Sequence, residues 1–139
     1  MKLSDVSNEE KNRIRLELAA AGVTNYGLRK MESRYLPEII HQGEHIKAVI
    51  YGLRNGFSGM LVATDQRIIY TERKPFYGVM DEIAYAMVSG VRITAPGQKA
   101  GVTLHTRVGD YTLKFVNKNA AHKFIEFIDQ EHLKELRQI

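Results

Sequence analysis

Gly59 to Glu72, GMLVATDQRIIYTE, joins two strand-forming runs across the polar turn Thr64-Asp65-Gln66-Arg67. Met60, Leu61, Val62 and Ala63 on one side, and Ile68, Ile69, Tyr70 and Thr71 on the other, are the aliphatic, β-branched and aromatic residues that a paired, half-buried sheet prefers. The stretch therefore reads as a β-hairpin, and its neighbours continue the same grammar. Upstream, His45 to Leu53 places Ile46, Ala48 and Ile50 on one face, with Val49 and Tyr51 leaving the other partly apolar, and Gly56 and Gly59 bracket its turn. Downstream, after the loop Lys74-Pro75-Phe76-Tyr77-Gly78, strands are expected near Val79 to Tyr85 and Met87 to Thr94, with Gly90 as a candidate bulge.

The cleanest alternation follows the glycine-containing loop 95–101. Val102, Leu104 and Thr106 oppose Thr103, His105 and Arg107, and after Val108-Gly109-Asp110 the next strand sets Tyr111, Leu113 and Phe115 against Thr112, Lys114 and Val116. The period then becomes helical from Asn119 to about Arg137, with Ala121, Phe124, Ile125, Ile128 and Leu136 on a broad apolar stripe and Asn117 or Asn119 as its cap. Six or seven antiparallel strands and one closing helix imply a strongly bent sheet or small barrel, with Phe124 and Ile128 plugging its open end.

Before the strands the chain is helical. Ser7 and Glu10 form a capping-box pattern for a helix from about Asn8 to Ala21, with Ile14 and Leu18 on one face and Gly22 as its stop. A second helical stretch is expected over Tyr26 to Arg34, and a short turn over Leu36 to Ile40 before Gly43. The fold class is thus α+β, mainly β. Residues 1–42 form a helical lead-in that does not stand alone, and residues 43–139 form the main domain.

With 139 residues the chain is sized for one domain. The absence of cysteine excludes disulfides, thiolate zinc sites and cysteine nucleophiles, and suits a cytoplasmic protein. The amino terminus lacks an apolar signal core, and no run approaches the roughly 18 apolar residues of a membrane span. A soluble, cytoplasmic protein is expected, with the inner face of the membrane as an alternative station. Net charge is +4 and the pI about 9.3. The excess sits in residues 42–116 (+3), against +1 before and 0 after, but it is spread singly, with only Arg73-Lys74 adjacent. No basic tract for nucleic acid is present.

Sites for chemistry are sparse. His41 and His45 have the spacing of a helical metal pair, but Gly43 lies between them and no third ligand is evident, so no metal is expected. Gly56-Phe57-Ser58-Gly59 lacks the spacing of a nucleophile elbow, phosphate-cradling glycine motifs are missing, and Asp81-Glu82 reads as a solvated strand start. Neither cofactor nor small-molecule substrate is inferred, and catalysis is not expected. For binding, two tips stand out: Arg73-Lys74-Pro75-Phe76-Tyr77, an aromatic pair beside two cations, and Arg54 with Phe57.

The order of these pieces resembles the bacterial pleckstrin-homology-like (PH-like) domains, in particular the YokE-like group. The resemblance rests on Leu36-Pro37-Glu38-Ile39, Gly43-Glu44, the Gly59 to Tyr70 hairpin, Glu82-Ile83-Ala84-Tyr85 with Val88 and Val91, and Gly101-Val102-Thr103-Leu104. It spans roughly Leu36 to Ile128, and it implies a curved seven-stranded sheet closed by a carboxy-terminal helix and a binding module without a catalytic centre. Eukaryotic members that read phosphoinositides carry basic residues on the second strand, whereas Met60 to Thr64 has none. The leading expectation is therefore contact with a protein partner or a second copy, through a sheet edge or the lead-in. Anionic membrane, by way of Arg73, Lys74, Phe76 and Tyr77, comes second. Nucleic acid comes third, because Tyr111 and Phe115 read as core.

Overall fold

Both faces of the central hairpin are buried. In the computed structural model, which describes residues 7–23, 36–73, 78–94 and 99–137, β1 (Ile46–Arg54), β2 (Phe57–Thr64) and β3 (Ile68–Arg73) pair antiparallel along their lengths. Leu61 and Ala63 point into one core and Met60 and Val62 into a second. The uninterrupted apolar run of β2 is the signature of a strand covered on two sides rather than one, which corrects the half-buried expectation.

β4 (Gly78–Ile83), β5 (Val88–Thr94), β6 (Lys99–Thr106) and β7 (Gly109–Asn117) complete a seven-stranded antiparallel sheet in the order β4-β3-β2-β1-β7-β6-β5. The inner face curls around a single core drawn from all seven strands and from Ala121, Phe124 and Ile128 of α2 (Lys118–Arg137). Asn117 caps α2, accepting from the Ala120 N–H at 3.1 Å. Tyr85, in the tight turn Tyr85–Met87 between β4 and β5, packs its ring edge-on to Phe127 of α2 and donates its hydroxyl to the Thr64 carbonyl. α2 therefore closes the end of the sheet where β2 finishes. Burial pushes the Tyr85 phenol far above its ordinary pKa.

The second core lies outside the sheet. α1 (Asn8–Ala20) lays Ile14 and Leu18 on Val49, Met60, Val62 and Ile69, joined by Ala21, Val23, Leu36, Ile40 and Ile46. Ser7 caps the helix through its hydroxyl to the Glu10 N–H, 3.1 Å, while the Glu10 carboxylate turns to Arg13. At the other end Gly22, at φ +100°, lets the Val23 N–H return to the Leu18 carbonyl. Residues 36–39 form one helical turn, and the stretch expected over Tyr26 to Arg34 falls outside the described residues. No described helix is long and apolar enough to cross a membrane.

Candidate binding site at the barrel mouth

Two places gather charged side chains, one at each end of the β1–β3 strands. The first lies at the turn of the opening hairpin. Glu44, fully buried, takes both prongs of Arg67, Nε at 2.9 Å and Nη2 at 3.0 Å, the Thr64 hydroxyl at 2.6 Å and the His41 N–H at 2.9 Å. Arg67 also donates to the Ile39 carbonyl at 2.8 Å and reaches Glu82 at 3.3 Å. Thr64 Oγ1 accepts from the N–H groups of Gln66 and Arg67, which shapes the turn. Burial alone raises the Glu44 pKa, but the bonds from Arg67, Thr64 and the His41 amide outweigh it and hold the carboxyl at about 2. Beside this knot Glu17 of α1 accepts from the Ile46 N–H, 2.8 Å, from Arg13, 2.9 Å, and stands 2.8 Å from His45 Nδ1. The bonds of Glu44, Glu17 and the Arg67–Ile39 contact join lead-in to sheet, while those of Thr64 and Glu82 stay within the sheet. His41 faces Gln66 and His45 faces Glu17, beyond the helical turn 36–39, so the two do not form a helical pair.

The second place is the opposite end, the mouth of the barrel. Asn55 at φ 53° and Gly56 at φ 83° make a two-residue turn of the mirror-image kind that strand twist favours. Register then sets Arg54 against Phe57, Gly59 against Glu72 and Arg73 against Gly78, so the β1–β2 turn and both flanks of residues 74–77 lie at one end. Because side chains alternate, Arg54 continues the inward row of Ala48 and Ile50, Glu72 that of Ile68 and Tyr70, and Asp81 that of Ile83. The Arg54 guanidinium lies 5.1 Å from the Tyr70 ring centre and 5.0 Å from that of Tyr111, the two rings being 5.2 Å apart. Tyr111 donates its hydroxyl to Asp81 at 2.7 Å. Burial and the Asp81 carboxylate push its pKa up to about 12. The Tyr70 hydroxyl, also buried, makes no close hydrogen bond among the described residues, and Arg54 and Glu72 are the polar side chains that face it. Burial first and Glu72 second raise its pKa, while Arg54 opposes them.

Gly59, the first residue of the hairpin motif, is what makes room. A Cβ there would stand 2.6 Å from the Tyr70 hydroxyl and 3.1 Å from its ring. Gly59→Ala is expected to cost about 1–3 kcal/mol through overpacking, read as a lower denaturation midpoint, with part of the loss restored by Tyr70→Phe in the same chain.

Of the residues singled out in the sequence, Arg54 and Phe57 meet at this mouth, Phe57 at 38% exposure. Arg73 ends β3 at the same end by its backbone, and Lys74, Phe76 and Tyr77 lie outside the described residues. Tyr70, Glu72, Asp81 and Tyr111 were missed as site residues. The signal was the strict alternation carried one step past the last apolar residue of each strand. Asp81 is accordingly no solvated strand start, although Glu82 beside it is exposed.

Phe115 departs from expectation in another way. It sits in a bulge of β7 opposite Gly101, at φ 62°, with 62% of its surface exposed rather than in the core. Gly52 admits the bulge, since a Cβ there would meet the Lys114 carbonyl at 2.6 Å. Leu53, paired with Lys114, is 40% exposed beside it. A left-handed aromatic is strained. Phe115→Gly is therefore expected to leave stability unchanged or raise it by up to about 1 kcal/mol, measured by chemical denaturation.

Residues 40–130 match the sequence pattern of the bacterial PH domain family. The chain belongs to the bacterial PH domain family. Domains of this kind commonly act as binding modules and are generally non-catalytic. A DUF1696 family protein with a pleckstrin-homology domain from Shewanella loihica is similar in structure at 16% identity and a TM-score of 0.48, over 70% of this chain and 89% of that one. The PH domain of USP37 is similar at 14% identity and a TM-score of 0.45, over 66% and 97%. No curated protein matches the chain. α1 lies ahead of the matched residues. In this bacterial PH domain the motif residues Glu44, Thr64 and Arg67 form the buried knot, and Gly59 gives the mouth its space. The motif thus explains the fold and leaves the mouth to be read from its own chemistry. Among the described residues no three histidine, aspartate or glutamate side chains converge on a metal-sized site.

Proposed function

We infer that this PH domain is a non-catalytic module for protein contact, with a partner protein or with a second copy, acting in the cytoplasm. The observation that carries the reading is the polarity of the mouth. Arg54, its guanidinium beside two tyrosine rings, is accompanied by Glu72 and Asp81, so among the described side chains two carboxylates stand with one cation where an anionic headgroup would have to enter. Among the described residues β4 and β5 are each paired on one side only, which offers two strand edges for strand addition. α1 packs on its own sheet and Tyr111 is buried, so among the described residues neither an unpartnered helix nor a two-ring stacking platform is on offer.

Attachment to anionic membrane is the second reading, supported by the exposed Phe115 and Leu53 flanking Lys114. Sedimentation velocity at low and near-physiological salt, run beside co-sedimentation with anionic and neutral vesicles, separates the two. Protein contact expects a discrete oligomer or a partner complex indifferent to salt, and no pelleting. Salt-sensitive pelleting with anionic vesicles alone would put the membrane reading first.

A further inference from the structure

We propose that two copies of the chain pair through the outer face of β7, antiparallel, with Lys114 of each copy against Asp110 of the other. The pairing rests on the protein-contact reading above and names the second copy as the partner.

The outer face of the sheet is covered unevenly. α1 packs over β1, β2 and β3, and no residue of β5, β6 or β7 belongs to that second core. On β7, Tyr111 and Leu113 point into the barrel, so Asp110, Thr112 and Lys114 line the opposite face. Lys114 is exposed, and so is 54% of the Asp110 side chain, although His105 Nδ1 stands 3.0 Å from its carboxylate. Thr112, half-buried between them, meets the Thr103 hydroxyl at 2.9 Å. Apolar side chains stand at both ends of this row. Val108 is 71% exposed in the turn before β7, and Phe115 is 62% exposed in the bulge, with Leu53 beside Lys114.

Along the strand the order is apolar, acidic, hydroxyl, basic, apolar. A twofold axis that crosses β7 at Thr112, in the plane of contact and perpendicular to the strand, turns this order end for end. It sets Lys114 on Asp110 of the second copy twice over and brings Phe115 to the Val108–Gly109 turn. A surface that carries its own complement under a twofold rotation suits an isologous contact, whereas parallel copies would set acid on acid and base on base. Arg92 is level with Thr112 through Thr103 but lies two strands away on β5, off the line of contact, because the sheet curls toward its inner core. The strain at Phe115 supports the same surface. A left-handed aromatic with most of its surface in solvent gives the single chain little packing to offset φ 62°, and buried aromatic anchors carry much of the binding energy of an interface. The two ion pairs lie at exposed positions, so they fix register more than strength, and the dimer is expected to weaken little with salt.

Sedimentation velocity of the full chain over a wide range of concentration, with vesicle co-sedimentation alongside, tests the pairing. The parent is expected to pass from monomer to dimer and no further. Lys114→Glu leaves two acids on the row and Asp110→Lys two bases, so each variant alone should dimerise at least about tenfold more weakly. Mixed in equal amounts, the two variants should form a heterodimer about as tight as the parent dimer, and both substitutions in one chain should restore the homodimer. Phe115→Gly should weaken dimerisation by about tenfold or more without lowering the stability of the monomer, which separates a contact residue from a structural one. A parent that stays monomeric at every concentration, or charge variants that fail to rescue each other, overturns the proposal. Equal dimerisation by the parent and every variant also overturns it, but leaves the protein-contact reading standing through another surface such as a strand edge. A monomer that pellets with anionic vesicles, and more so as Asp110→Lys, overturns both and puts the membrane reading first.

Discussion

Arg67→Met is expected to lower the stability of the chain by about 3–5 kcal/mol at neutral pH, because it strands the Glu44 carboxylate in the interior without its counter-charge. The double substitution Glu44→Met with Arg67→Met should recover more than half of that loss, since removing both charges also removes the desolvation cost each carries. The pH dependence has a definite sign. Glu44 is depressed from 4.5 to about 2 in the fold, so its contribution is fully present above the unfolded value of 4.5 and is lost as pH falls through about 2. In Arg67→Met the largest remaining influence is burial, which raises the carboxyl. The gap between variant and parent should therefore narrow as the medium is acidified. Urea midpoints measured from pH 7 to pH 3 check both statements, and a gap that stays constant with pH would show that Arg67 acts by packing alone.

Phe124→Ala should cost about 3–5 kcal/mol, the range for removing a large buried aromatic, and lower Tm by roughly 10–20 °C for a domain of this size. Phe124 is fully buried on α2 and shares its core with residues from all seven strands, so the cavity opens where the curled sheet has no other cover. Phe127, on the same helix but only partly buried against Tyr85, should cost about half as much on truncation to alanine. Thermal unfolding followed by both far-ultraviolet and aromatic circular dichroism tests the mechanism. Coincident midpoints are expected, because α2 closes the same core that holds the strands together. Loss of the helix signal ahead of the aromatic signal would mean that the sheet keeps its shape without its plug.

Much of this fold was legible because its strands obey a two-residue period and its final helix a 3.6-residue one, and both patterns are local. Ile14 with Leu18, the Ser7 cap, the Gly22 stop and the pair Phe124 and Ile128 all stand where their spacing placed them. The hairpin itself needed no tertiary information, since Thr64 folds its own turn by accepting from Gln66 and Arg67.

The site was legible only in part. Arg54 was singled out as a tip residue, yet alternation put it on the inner row, where it meets Tyr70 and Tyr111 from strands 16 and 57 residues farther along the chain. Asp81 reads in the sequence as part of a solvated strand start because charge predicts exposure, and only the closing of the barrel set it against Tyr111 in the mouth. Phe115 failed in the opposite sense: one extra residue in β7 broke the two-residue count and turned an apparent core aromatic outward. Local chemistry, then, determined which segments are strands, turns and helices, where they cap and stop, and which side of each strand is apolar. The tertiary structure alone decided that β2 is covered on both faces, that Glu44 and Arg67 become a single buried knot, and that Asp81 meets Tyr111 beside Arg54 at the mouth. Those outcomes depend on which strand lies beside which, and long-range pairing is set by the sum of all the faces to be buried rather than by any one of them.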